Sequence, residues 1–176
     1  MRTALLALFV VSAMSTSFID CAKAQSPTPP AAAPPPSNLA QLMRGTLYPE
    51  SNVVFAAQDV NPADVPHAKD PSMATDPLES SYGKWQAVEN NALAIAEVAD
   101  LLNVPGRKCA NGLDVPLKNP DWAKFVQELR DAGMTAYAAA QTKNQDKMID
   151  AAGVMTAACL HCHVKYRERK IADRCK

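Results

Sequence analysis

Near its C-terminal end the chain reads Cys159-Leu160-His161-Cys162-His163. The residues before it carry Met148, Ala151, Ala152, Met155 and Ala158 at helical spacing behind Asn144, a good N-cap, so a helix is expected to run through the five residues and on to about Ile171. On that helix Cys159 and Cys162 stand at i, i+3, and Cys159 and His163 at i, i+4. Two thiols and an imidazole therefore share one face.

C-x-x-C-H is the attachment motif for c-type haem: the two thiols add across the vinyl groups, and the adjacent imidazole becomes an axial ligand of the iron. One helix can hold the ring edge and the metal together, and the single motif implies one haem c per chain. Three other readings compete. A redox dithiol should follow a strand and open a helix, whereas this one lies inside a helical pattern. A zinc site needs a second ligand pair, and only Cys109, Cys175 and His67 remain, none of them at paired spacing. The third is two buried thiols beside a surface histidine.

Working outward, 176 residues suggest a single domain. Lys+Arg and Asp+Glu both number 18, so no basic excess points to nucleic acid. Residues 1–24 read as a secretory signal, with Arg2 at the start, an apolar Ala4 to Val11, and Ala22-Lys23-Ala24 as a small-x-small cleavage pattern. The apolar run is shorter than the roughly 20 residues that span a bilayer, and Asp20 argues against lipid attachment at Cys21. Removing residues 1–24 takes away Arg2, Lys23 and Asp20 and leaves 16 basic against 17 acidic residues. An exported, periplasmic protein without an integral membrane segment is expected.

Residues 25–37 form a Pro/Ala-rich leader that cannot pack as helix or strand. Residues 38–176 are expected to form the domain, in four helices. The first begins at Ser37 or Asn38 and runs towards Gln58 with Leu39, Leu42, Met43, Leu47, Val54 and Phe55 inward, and Gly45 and Pro49 predict a kink or break in it. The second begins near Asp76 with Pro77 at its first position and continues to about Leu102, burying Trp85, Val88, Ala92, Ile95, Ala96, Ala99 and Leu102. Asn119 and Pro120 open the third, which places Trp122, Phe125, Val126, Leu129, Met134, Tyr137 and Ala140 in the core and ends around Thr142. The fourth carries the motif, and its small residues Ala151, Ala152, Gly153, Ala157 and Ala158 would let a flat macrocycle approach the backbone. Long loops join helices one and two (59–76) and two and three (103–119).

Two cysteines lie outside both the signal and the motif, Cys109 and Cys175. In an oxidising compartment they either bridge the second loop to the C-terminal tail or remain free thiols. His67, in the first loop, is an alternative axial ligand on paper, although a lone loop histidine is more often solvated. Met43 sits on an apolar stripe, where methionine is usually core filler.

Four amphipathic helices with Cys159-Leu160-His161-Cys162-His163 on the last, followed by Tyr166-Arg167, resemble the cytochrome c-prime family and its methionine-ligated low-spin relatives. The resemblance covers roughly residues 38–169. It implies an all-α, left-turning antiparallel four-helix bundle with haem between helices near one end, Cys159 and Cys162 as thioether anchors and His163 as the proximal iron ligand. Met43, early in the first helix, matches the distal methionine of the low-spin members, and Arg44 beside it could approach a haem propionate. The chain departs from the simplest family pattern in its two long loops and in Gly45 and Pro49.

The expected function is single-electron transfer to an unidentified redox protein, with no catalytic residue, by a monomer or by a homodimer of the kind many members of the resembled family form. The rival from another class is a five-coordinate haem protein that binds NO or CO at an open distal site, with Met43 as a pocket wall. A peroxidase-like enzyme would need polar distal groups, for which only His67 and Arg44 are candidates.

Overall fold

The computed structural model describes residues 33–176. The expected signal peptide, residues 1–24, and residues 25–32 of the proline-rich leader lie outside the described residues. Residues 33–38 form neither helix nor strand.

The first helical segment begins as expected. Asn38 Oδ1 accepts from the Gln41 amide at 2.9 Å, and Gln41 Oε1 accepts from the Asn38 amide at 2.9 Å, a reciprocal cap that satisfies two otherwise orphaned donors. Helix α1 spans Leu39–Leu42 and α2 spans Tyr48–Asp59, with a π turn over Met43–Leu47 between them. The chain stays helical throughout instead of breaking. Pro49 explains the wide turn: in α register it would lack the donor for the Gly45 carbonyl, and its ring would press on that oxygen. The Tyr48 amide instead reaches back five residues to the Met43 carbonyl.

Helix α3 spans Lys84–Ala99 and continues as a 3-10 turn over Asp100–Asn103. Its expected start near Asp76 is only a short 3-10 turn, Pro77–Glu79. The chain doubles back after that turn and passes so close to itself that a Cβ on Gly83 would lie 2.2 Å from the Leu78 carbonyl oxygen. Only glycine fits there, and the helix begins after it. The loop before α3 is less irregular than its prolines suggested. Asn61, Asp70 and Asp76 each cap a 3-10 turn that opens with the following proline, an Asx-Pro device used three times.

Helix α4 spans Pro120–Gln141 and α5 spans Gln145–Tyr166. The Asn144 side chain accepts from the Lys147 amide at 3.0 Å, whereas the Asn119 side chain caps nothing and bonds elsewhere, as described below. Lys143, with φ 53°, makes the left-handed step between the two helices. α5 stops at Tyr166 rather than near Ile171, because Tyr166 is tied to α4 and the tail folds back to meet it, the Cys175 amide donating to the Tyr166 carbonyl at 3.4 Å.

The described residues are thus all-α, with no strand beyond an isolated bridge between Lys108 and Asp114. α2 packs on α3 and α5, and α4 packs on α3 and α5. The tightest approach is α3 to α4, where a Cβ on Gly133 would come within 2.9 Å of the Ala92 carbonyl oxygen and the Ala96 amide. Gly133 therefore takes the inward position, and Met134, expected in the core, points outward at 45% exposure. Among the described residues no helix is long and apolar enough to cross a membrane.

Candidate functional site

A cavity of about 370 Å³ opens where the first helical segment, α4 and the end of α5 meet. α5 supplies Met155, Ala158, Cys159, Cys162, His163 and Tyr166 to its wall, and α4 supplies Trp122, Phe125, Val126 and Leu129. Met43, Arg44 and Leu47 of the π turn line it from the first segment. The expected site residues Cys159, Cys162, His163, Met43 and Arg44 are thus gathered around one cavity. His67 is not among its lining residues. Its Nδ1 lies 2.9 Å from the Ser80 carbonyl oxygen, within the first loop.

The end of α5 is fixed by a clamp on Tyr166. The Tyr166 hydroxyl donates to Asp121 Oδ1 at 2.6 Å and accepts from Asn119 Nδ2 at 3.1 Å. Its ring meets Trp122 edge-on at a centroid distance of 5.2 Å, a favourable geometry for an aromatic pair. Lys165 forms an ion pair with the same Asp121 carboxylate. The hydrogen bond from Lys165, and after it that from Tyr166, holds the Asp121 carboxyl below its ordinary range. Three residues before Tyr166 stands His163, so this clamp sets the height of the imidazole in the cavity.

The electrostatics separate the candidate chemistries. Burial pushes the Cys159 thiol up, and burial followed by the charge of Cys159 pushes Cys162 up to about 11. A nucleophilic redox cysteine has its thiol pKa lowered, the opposite of the direction at Cys159 and Cys162. Burial, and then the Arg167 guanidinium 3.3 Å from Nδ1, lowers the His163 pKa. A neutral imidazole retains the lone pair a metal needs. Zinc is poorly served, because no three His, Cys, Asp or Glu side chains among the described residues converge on one point.

The rim is cationic. Arg44, Arg167 and Arg174 line the cavity, and the described lining residues include no Asp or Glu. An apolar wall, paired thiols beside a neutral imidazole, and three guanidinium groups fit a flat apolar macrocycle that carries carboxylates. Of the small residues expected to face such a ring, only Ala158 lines the cavity; Ala151 and Ala152 are buried elsewhere in the core, and Gly153 and Ala157 face outward.

Two features of the site escape local sequence patterns. Arg107 is buried and donates to the Leu101 and Ser37 carbonyls and to Ser37 Oγ, at 3.0, 2.7 and 2.9 Å. Together with the Leu39 amide, which donates to the Lys108 carbonyl at 2.8 Å, it seats the start of α1 and hence Met43. Asn119 carries a helix-start signal but serves Tyr166. Of the two alternatives for Cys109 and Cys175, the structure forms the disulfide, which brings the loop at 104–119 and the tail together at one edge of the cavity. No family model, curated protein or solved structure matches the chain.

Proposed function

We propose that this chain is an exported c-type cytochrome that carries one haem c and transfers single electrons. The observation that carries the proposal is the convergence of Cys159, Cys162 and His163 with Met43 and the arginines on a single apolar cavity. When bound, haem c supplies a ferric/ferrous couple, and a histidine with a methionine as axial ligands favours the reduced iron.

The residues of the chain have separate tasks. Cys159 and Cys162 would be the thioether anchors, side by side on the cavity wall. His163 would be the proximal ligand; burial and then Arg167 lower its pKa towards the neutral imidazole, and the Tyr166 clamp sets its height. Met43, presented to the cavity by the π turn, would be the distal ligand. Trp122, Phe125 and Leu129 keep water away from the ring, which lets fixed charges act strongly on the redox couple. Arg44 meets a propionate at the rim.

The packing of α2, α3, α4 and α5, each on two of the others, supports an antiparallel four-helix bundle of the cytochrome c-prime type. The disulfide agrees with export to an oxidising periplasm. The partner is a redox protein, and a homodimer is part of the proposal. A peroxidase-like activity loses its distal histidine, since His67 belongs to the first loop.

An optical spectrum of protein from a host that attaches c-type haem tests the proposal, recorded oxidised, reduced, and reduced under carbon monoxide. The expected result is low-spin bands with a methionine-to-iron charge-transfer feature, little response to carbon monoxide, and loss of that feature in Met43→Ala. Broad high-spin bands that shift with carbon monoxide, unchanged in Met43→Ala, would turn the assignment to a five-coordinate NO- or CO-binding protein. Absence of covalent haem would overturn both.

A further inference from the structure

The three arginines of the cavity rim come from different parts of the fold: Arg44 from the π turn, Arg167 from just beyond α5, and Arg174 from the C-terminal tail. Arg44 and Arg167 are exposed, so water can satisfy their donors. Arg174 differs. Its Nε is buried and has no hydrogen-bond partner. A buried guanidinium N–H without an acceptor is costly, and nearly all such groups in folded proteins find one.

The position of Arg174 is also over-determined. The next residue, Cys175, is bonded to Cys109. The Arg174 carbonyl accepts from Asn111 Nδ2 at 3.0 Å, and the same Asn111 donates to the Ile171 carbonyl at 2.9 Å. Loop and tail therefore hold the Arg174 backbone from both sides. The chain has placed a half-buried cation at an apolar cavity, given its side chain no acceptor among the described residues, and locked the backbone behind it.

We propose that Arg174 is a second carboxylate-pairing residue of this cavity, beside Arg44, with the Cys109–Cys175 disulfide and Asn111 as its positioning groups. On the haem assignment above, on which this rests, the carboxylate is a haem propionate. The planar guanidinium fork matches a carboxylate, and the pair is a charge-assisted hydrogen bond. A fixed cation near the ring also opposes the extra positive charge of ferric iron, so Arg174 raises the reduction potential.

The test compares wild-type holoprotein with Arg174→Gln and Arg174→Lys by spectroelectrochemical titration, after haem content and axial-ligand bands have been recorded for each. Arg174→Gln is expected to keep its haem and its bands while its ferrous-to-ferric ratio, at a fixed redox poise, falls on the order of tenfold. Arg174→Lys, which keeps the charge but not the fork, should recover most of that loss. A haem-loaded Arg174→Gln with the wild-type potential overturns the role of Arg174 and leaves the cytochrome assignment standing. Wild-type protein without covalent haem overturns the assignment itself. A crystal structure of the wild-type holoprotein decides the matter without any variant: Arg174 within hydrogen-bonding distance of a propionate is expected, and Arg174 turned to solvent overturns the proposal.

Discussion

Asp121 links two residues at the end of α5 to the pH of the solution. Lys165 and Tyr166 both bond its carboxylate and hold its pKa below the ordinary value. A depressed carboxyl pKa contributes stability that is present above the unfolded-state value, about 4, and is lost as pH falls through the lower folded value. Neutral and mildly acidic solutions should therefore leave the end of α5 intact, with loosening only below about pH 4. Asp121→Asn should flatten that acid limb in a pH series of urea midpoints. A limb of unchanged steepness would assign acid sensitivity to other groups. By its position alone Asp121 is a carboxylate in the first turn of α4; its bonds to α5 needed Tyr166, 45 residues away, to arrive.

The π turn and the α3–α4 contact make predictions for the helices. Pro49→Ala restores an amide and removes the ring that forces the wide turn, so the segment is expected to relax to α register and rotate Met43 relative to the cavity. In the holoprotein this should weaken the methionine-to-iron feature while haem content stays unchanged, read from the same optical spectra. At the other contact, Gly133→Ala gains about 1 kcal/mol of helix propensity but places a methyl group 2.9 Å from backbone atoms of α3. Overpacking of that kind costs about 1–3 kcal/mol, so a net loss of up to about 2 kcal/mol is expected in denaturant unfolding. A stabilised Gly133→Ala would mean that the two helices can part without cost. Both features look alike in the sequence, a helix-disfavouring residue in a helical pattern, yet one widens a turn and the other admits a neighbouring helix.

For the whole molecule the disulfide is the long-range tie. Cys109 and Cys175 are separated by 66 residues, and opening so long a loop in the unfolded chain removes roughly 2–4 kcal/mol of stability. Cys109→Ser with Cys175→Ser should show a loss of that size, measured by chemical denaturation against the wild type under non-reducing conditions. An unchanged midpoint would show that the 104–119 loop and the tail hold each other through Asn111 alone. Arg107 works at the same scale without a covalent bond, since its donors join Ser37, at the head of the domain, to Leu101, at the end of α3.

Periodicity and short motifs by themselves determined the all-α class, the inward faces of α3 and most of α4, the cap at Asn144, and the grouping of Cys159, Cys162 and His163 on one helical face. These are local properties, set by residues within a turn or two of one another. Only the tertiary structure decided that Met134 yields its inward place to Gly133, that Gly83 delays α3, that Pro49 widens a turn instead of ending a helix, and that α5 stops at Tyr166. It also decided that Arg174, far from Met43 in sequence, shares a cavity with it. The cause is the same in each case: close approach and burial of polar groups are set by segments distant in the chain, and no local pattern records which segment will arrive.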